Sequence, residues 1–472
     1  MKKIKIIAFS LAFALAALSV VLVPVAAILI TPPAYSNTFV GALDEKVERL
    51  ASVERRKAVV IGGSSVAFGL DSALMEKHLG MPVVNFGLYA AVGTKAMIDL
   101  SWDHIGEGDI VVLAPEVNAE TLSLYFNGMN MWRAIDDSPA LFFSLRGDSK
   151  KQMLGTMYAH AAAKMKDARD PLDPEGVYNS KSFDSYGDIS YPRESNVMPL
   201  YYDPNTPILL DPSILSADFA EYVNTFIAHC EKRGATVYYS YSPMNRAAIT
   251  EDTTEESTRA LEKALKSAIR CKHISMIDSY IMDAEYFYDT NFHLNDAGVR
   301  LRTKLLVDDI RIAEGIFTAS DIDLLEKPAL PDLAVHFDGT DENDKFFEYV
   351  EMANGALEIV GLTALGKAQT SLTLPLGADH TKVTHVGRNA FAGGAVREIT
   401  IPEQSNIRSI GTGAFDGSEV ETLRILYDFT DEAEKLSPPA SFGSVAVYVP
   451  RGSAYLSHYD WSRGYQLLIL PD

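Results

Sequence analysis

The apolar positions of this chain change rhythm several times, and each change marks a different kind of segment. Ile6 to Ile30 carries no charge and is almost wholly apolar, following the basic stretch Met1-Lys-Lys-Ile-Lys5. As a helix that run would extend about 37 Å, enough to cross a bilayer with some tilt. From Lys57 onward the apolar residues come instead in short continuous runs: Ala58-Val59-Val60-Ile61, Val83-Val84-Asn85, Asp109-Ile110-Val111-Val112-Leu113, Thr236 to Tyr241, and Ile274 to Ile277. Helix-compatible stretches separate them at Ser72–Leu79, Thr94–Ile105, Ser216–Arg233, Glu255–Ile269 and Asp296–Ile312. Buried strands alternating with amphipathic helices predict an α/β domain with a parallel sheet covered on both faces. In such a sheet the functional positions lie just beyond the carboxyl ends of the strands.

Two stretches break this alternation. From about Glu120 to Thr206 the chain carries scattered aromatics, Pro and Gly, and the polar segment Asp184-Ser-Tyr-Gly-Asp-Ile-Ser-Tyr191. An insertion of this size either shapes a substrate site as a lid or forms poorly ordered surface. After Glu314, Lys327-Pro328 and Leu330-Pro331 suggest a linker, and a repeat follows. Val383-Thr-His-Val-Gly-Arg-Asn-Ala-Phe391 returns as Ile407-Arg-Ser-Ile-Gly-Thr-Gly-Ala-Phe415, so Gly387 and Gly411, Phe391 and Phe415, and Ile399 and Leu423 are each 24 residues apart. Val447 stands a further 24 residues on, and Leu372-Thr-Leu-Pro375 is an imperfect earlier copy. A period in this range predicts a solenoid whose units each supply a short strand and stack their apolar residues on the next. The expected organisation is therefore an anchor or signal peptide over 1–31, a stalk over 32–56, an α/β domain over 57–315, a linker over 316–345 and a repeat domain over 346–472.

Charge and cysteine content narrow the function. Within 472 residues, 42 Lys plus Arg face 63 Asp plus Glu, a net charge of −21 that repels phosphate backbones and argues against nucleic-acid partners. Two cysteines, Cys230 and Cys271, exclude a disulfide-dense scaffold and leave open a single bridge or two free thiols. Lys2, Lys3 and Lys5 would keep the N-terminus cytoplasmic and send the rest outside. Ala34-Tyr35-Ser36 fits a cleavage site and keeps a signal peptide as the alternative. The length of the run favours an uncleaved anchor, and both readings export the chain.

The first strand run leads into Gly62-Gly63-Ser64-Ser65-Val66-Ala67-Phe68-Gly69. Glycines let the backbone turn sharply and present a serine at the strand end, and a following helix would aim N–H groups at a developing oxyanion. The spacing fits neither a dinucleotide fingerprint nor a Walker loop. After the last strand run comes Tyr288-Asp289-Thr-Asn-Phe-His293-Leu294-Asn295-Asp296. A serine nucleophile needs a base, and the base needs a carboxylate to fix its tautomer. Asp289 and His293, four residues apart on one loop, could be that pair; taken alone they could equally be a helix cap and a surface histidine.

Together these pieces resemble the SGNH (GDSL-like) hydrolase superfamily, especially its membrane-anchored bacterial branch related to the teichoic-acid D-alanylation protein DltD and to alginate acetylation proteins. The resemblance covers about Lys57 to Glu314 and implies a flavodoxin-like three-layer α/β/α fold. Ser64 stands where the family has its nucleophile after Gly-Asp, and Ser65 is the alternative because its spacing to Gly69 fits some members better. Asn85-Phe86-Gly87 matches the second block, so the N–H groups of Gly87 and Ser64 would line an oxyanion hole. Pro115-Glu116-Val117-Asn118 lies at the third block without its usual glycine and offers Asn118 as a third donor. Asp289 and His293 match the final block with one residue more than its usual spacing, which leaves Asp283 as a substitute carboxylate. The segment from about Leu357 onward resembles BspA-like leucine-rich repeats, mostly of bacterial surface proteins, which implies a binding partner.

These resemblances imply an extracytoplasmic serine esterase or O-acyltransferase, needing no metal or organic cofactor, that acts on acyl groups of a cell-envelope polysaccharide. A membrane-bound O-acyltransferase or another surface protein is the implied partner. The alternative is an inactive surface adhesion protein whose repeats carry the function.

Overall fold

The pleat of a strand sends alternate side chains to opposite faces of its sheet, and the first sheet uses both. In the computed structural model, which describes residues 22–89, 92–198, 200–203, 206–250, 252–330, 335–336, 342–352, 355–376, 383–411, 413–429, 435–439, 442–456, 461 and 467–470, this sheet has five parallel strands. They are β1 (Ala58–Gly62), β2 (Val83–Gly87), β3 (Ile110–Leu113), β4 (Thr236–Tyr239) and β5 (Lys272–His273), in the order β2-β1-β3-β4-β5. Val59, Ile61, Val84, Phe86, Val111 and Leu113 enter one apolar core, while Ala58, Val60, Val83, Ile110 and Val112 enter another. Both faces are therefore covered, consistent with a three-layer α/β/α domain.

Helices α1 (Leu43–Ser52), α4 (Thr94–Ser101), α7 (Ala217–Lys232) and α8 (Glu255–Ala268) cover the first face through residues such as Leu43, Met97, Phe226 and Leu261. Helices α3 (Ser72–Leu79) and α9 (Asp296–Ala313) cover the second through Met75, Leu306 and Ile310. Their ends follow local chemistry. Asp71, Ser216 and Asn295 cap the first turns of α3, α7 and α9, and α3 stops at Gly80, whose φ of 69° suits glycine. The fifth strand lies two residues earlier than the run Ile274–Ile277 predicts. Ile274 donates one more bond to the Tyr239 carbonyl, and Ile277–Tyr280 then coils into a 3-10 turn.

The stretch Glu120–Thr206 is neither a bare lid nor disordered surface. It contains α5 (Gly128–Ala134) and the 20-residue α6 (Asp148–Asp167), which buries Met153, Met157, His160, Ala161 and Lys164 at helical spacing. The segment 32–56 is not a stalk either. Phe39, Leu43, Val47 and Leu50 join the main core, and the buried pair Lys164–Asp136, at 2.6 Å, pins the chain before them. Lys164 Nζ also donates to the Ile28 carbonyl, and Asp136 accepts from the Ala34 and Tyr35 amides. Residues 22–30 are helical, but residues 1–21 of the apolar run lie outside the described residues. Among the described residues, no helix is long and apolar enough to cross a membrane.

The first half of the expected linker runs along the α/β domain. Ile322 is buried with the α9 side, Ser320 bonds Lys304 and Asp308, and Lys327 pairs with Asp283 and Glu285. A second, separate core follows, between two sheets. One sheet pairs Ser371–Thr373, Glu398–Ile401, Thr422–Ile425, Ala446–Val449 and Leu467–Ile469, all in parallel. Ile399 pairs with Leu423 and Leu423 with Val447, so the 24-residue period is the strand register itself. Phe391 stacks on Phe415 at 5.3 Å, and Phe415 packs on Phe442 at 6.0 Å, one aromatic per unit along the interior. Cys230 and Cys271 are both free, so no bridge joins them.

Candidate active site

Strand order reverses between β1 and β3, on either side of the first strand in sequence, and a doubly wound sheet opens its crevice at such a reversal. Residues following both strands meet there. Beyond β1 the chain turns at Gly62-Gly63 into a short helix, α2 (Ser64–Ala67). A Cβ at Gly63 would lie 2.4 Å from Glu116 Oε2, so a side chain there would displace this carboxylate. Glu116, which follows β3 and is buried, accepts from the Ser65 amide at 2.8 Å and from Ser64 Oγ at 3.4 Å. Ser65 is completely buried, and its hydroxyl has no partner among the described residues. Of the two serines, only Ser64 turns its hydroxyl toward the crevice carboxylate.

The histidine loop reaches the same place from the other end of the sheet. Tyr288 N–H donates to the His293 carbonyl, and Thr290 Oγ1 accepts from the amides of Phe292 and His293. This Thr290 turn absorbs the additional residue between carboxylate and imidazole. Asp289 Oδ1 therefore lies 2.8 Å from His293 Nδ1, while Tyr178 OH, from the insertion, donates to Asp289 Oδ2 at 2.6 Å. Burial works to raise the Asp289 pKa, but the His293 charge and the hydrogen bonds from His293 and Tyr178 prevail and hold it below the usual carboxylate value. Burial, reinforced by Asp289, pushes the Tyr178 hydroxyl well up, so it stays a donor. Asp283 does not substitute for Asp289: it pairs with Arg246 and Lys327.

One ring links the two halves. His293 stacks on Phe68 with 3.8 Å between ring centroids and 3° between planes, and Phe68 donates its amide to the Ser64 carbonyl one turn away. Imidazole and serine hydroxyl thus belong to one neighbourhood. Among the described residues no hydrogen bond joins Ser64 Oγ to His293, and Nε2 has no protein partner. Catalytic contacts are often open before a substrate binds.

Gly87 sits opposite Gly62 in the sheet, and a Cβ there would come within 2.6 Å of the Gly63 carbonyl. Its N–H donates to Asn85 Oδ1 at 3.2 Å. Asn118 is half-buried and caps its own turn, accepting from the Thr121 amide at 2.7 Å, while Glu116, two residues earlier, lies against the serine turn.

Several supports have no signature in the sequence. Asn85 Nδ2 donates to the Val66 carbonyl and to Asp188, which also holds the Ser72 amide and hydroxyl. Lys46, buried on α1, donates to the carbonyls of Asn85 and Gly187; burial lowers the lysine pKa and raises that of Asp188. Arg302, fully buried on α9, donates to the Ser65 carbonyl and crosses Gly69 so closely that a Cβ would collide with its guanidinium. Burial lowers its pKa to about 10, with Tyr280 and Glu116 pulling the other way, so it stays charged at neutral pH. Arg193, also buried, lies 5.3 Å from the Phe68 ring. Long separations in sequence hid these groups: Lys46, Asp188, Arg193 and Arg302 each stand among other charged or polar residues, so no local pattern singles them out.

Among the described residues no group of three or more His, Cys, Asp or Glu side chains gathers to hold a metal. Neither a protein-family model nor a curated protein matches the chain.

Proposed function

We propose that the α/β domain is an SGNH-type serine esterase or O-acyltransferase, with the flavodoxin-like fold of that superfamily, held at the extracytoplasmic face of a membrane by the apolar run Ile6–Ile30. Its substrates would be acyl groups of a cell-envelope polysaccharide, and the C-terminal units would be BspA-like leucine-rich repeats that bind a glycan or a protein partner, such as a membrane-bound O-acyltransferase. The observation that carries this reading is the Asp289–His293 pair, its buried imidazole stacked on Phe68, one turn from Ser64.

The chemistry follows from those positions. Ser64 Oγ attacks the ester carbonyl as its proton passes to His293 Nε2, the nitrogen left without a partner because Asp289 holds Nδ1. The C–O bond to the leaving alcohol breaks and His293 returns the proton to it, leaving an acyl-serine. Water or an acceptor hydroxyl, deprotonated by the same imidazole, then takes the acyl group and restores Ser64. The Ser64 amide opens α2 and is the first oxyanion donor; the Gly87 amide joins it on leaving Asn85 Oδ1, and the Asn118 side-chain Nδ2 is the third.

The test is labelling by a fluorophosphonate probe, which reports the reactive serine without knowledge of the acyl group. Wild type should be labelled and Ser64→Ala should not, with Ser65→Ala labelled as wild type. Equal labelling of wild type and Ser64→Ala would overturn the assignment.

One observation favours the other reading, a surface binding protein with an inactive α/β domain. Glu116 places a carboxylate against Ser64, where negative charge would oppose an oxyanion. A folded wild-type chain that neither labels nor cleaves acetyl and aryl esters, but binds a glycan or protein through residues 346–472, would establish it.

A further inference from the structure

Helix α6 carries an exposed apolar face. Leu154, Tyr158 and Met165 are 50%, 53% and 49% exposed, while Met153, Met157, His160 and Ala161 on the other side are buried. Together with Ala162 they form one stripe at helical spacing, with Lys151 at its start and Arg169 just past its end. Phe143, 77% exposed, extends the apolar surface at the N-terminal end, where Lys150 Nζ bonds its carbonyl, and Leu172 extends it at the other. Isolated apolar residues on a surface need no explanation, but an aligned apolar stripe marks a contact surface, and cations at both of its ends suit anionic lipid headgroups.

The chain supplies the membrane. The Ile28 carbonyl accepts from Lys164 of α6, and the Ala34 carbonyl accepts from the Leu172 amide just after it. Leu22, Val23, Leu29 and Ile30 are exposed beside this junction, and residues 6–21 upstream continue the same uncharged run. Wherever that run enters a bilayer, α6 is the element against which it joins the fold.

We propose that this face of α6 lies on the lipid surface, with Phe143, Leu154 and Met165 at the acyl boundary and Lys151 and Arg169 among anionic headgroups. The inference rests on the anchor reading of Ile6–Ile30. It also sharpens the substrate class. Phe39 follows Ile30 within a reach of about 30 Å even when extended, and it packs at 5.7 Å on Phe68, the ring that stacks on His293. Tyr178, which bonds Asp289, follows shortly after Leu172. The site is thereby held close to the bilayer, suited to an acyl donor or acceptor presented at the membrane surface rather than one far out in the envelope.

The experiment uses the full chain in vesicles of phosphatidylcholine and phosphatidylglycerol at about three to one, a mixture with anionic headgroups. An environment-sensitive fluorophore is attached at Leu154→Cys, at Met165→Cys and, as control, at Phe317→Cys beyond the C-terminal end of α9, each in a Cys271→Ala background that leaves only the buried Cys230. Brominated lipids should quench the probe at positions 154 and 165 and leave the one at 317 unchanged. If the protein floats with the vesicles but bromolipid quenches none of the three, the proposal is overturned while the anchor stands. A blue-shifted but unquenched probe at 154 overturns it too, because protein would then cover the stripe. If the chain does not float with vesicles at all, the anchor reading itself has failed, and the proposal with it.

Discussion

Asp289 is the residue through which the site should respond to pH. Its carboxyl is more acidic in the folded chain than in the unfolded one, so its contribution to stability is present above the ordinary carboxylate value and is lost as pH falls through the lower folded value. Asp289→Asn should flatten this part of the acid limb, read as the change in thermal midpoint between neutral and acid pH. The same substitution unties the His293 tautomer and should slow fluorophosphonate labelling by on the order of 10²–10⁴-fold. Tyr178→Phe removes one of two side-chain donors to that carboxylate and should slow it far less, which a labelling time course separates. Glu116 is a different case. Glu116→Ala leaves the Ser65 amide buried without its acceptor and removes a carboxylate that favours the nearby Arg302 charge, which should cost about 1–3 kcal/mol in chemical denaturation. Glu116→Gln keeps an acceptor for the amide and should cost clearly less. Equal losses for the two would mean that the carboxylate charge, not its hydrogen bond, holds the turn.

At the scale of elements, α6 carries a prediction of its own. His160 is fully buried, stacks on Trp132 at 5.5 Å, and has neither ring nitrogen bonded among the described residues; burial lowers its pKa to about 4. Between its ordinary value and about 4 the unfolded chain binds a proton that the folded chain refuses, so stability falls as pH falls through that window. His160→Phe keeps the stack and removes the titration, so its thermal midpoint should drop less from pH 7 to pH 5 than that of wild type. The helix also shows where sequence patterning stops. Strands β1 to β3 and helices α3, α8 and α9 were legible because unbroken apolar runs and clean stripes bounded by caps fix them locally. In α6 the inward positions are Met153, Met157, His160 and Lys164, two of them polar, and the outward ones include Leu154 and Met165, so the stripe that marks a helix was blurred by its second apolar face. The site divides in the same way. Ser64, Asp289 and His293 stand in recognisable local motifs, whereas Glu116, Tyr178, Asp188 and Arg302 act across separations that only folding closes.

For the molecule as a whole, the decisive fact is that the repeat core shares no residue with the α/β cores. The last buried residue of the α/β cores is Ile322, and the repeat core begins at Phe347. The α/β domain also holds its own N-terminal approach, since Asp136 and Lys164 satisfy their buried charges with Ala34, Tyr35 and Ile28. Cleavage after Ser36 would strip those partners away, so the intact mass of the protein should include residues 1–36; a mass beginning after Ser36 would contradict the proposed uncleaved anchor. A chain ending at residue 330 keeps both α/β cores and every partner of Ser64, Asp289 and His293, and should label with fluorophosphonate at close to the full-length rate. One contact tempers this. Burial, with Asp203 nearby, raises the Glu358 pKa to about 7, and the Asp203 amide donates to Asn291 on the histidine loop at 2.9 Å. Removing the repeats frees Asp203 from that opposing carboxyl but leaves its bond to Asn291, so the expected change in labelling rate is less than about tenfold, or 1.4 kcal/mol. A larger loss in a shortened chain that still melts cooperatively would mean that the repeats complete the site instead of standing beside it.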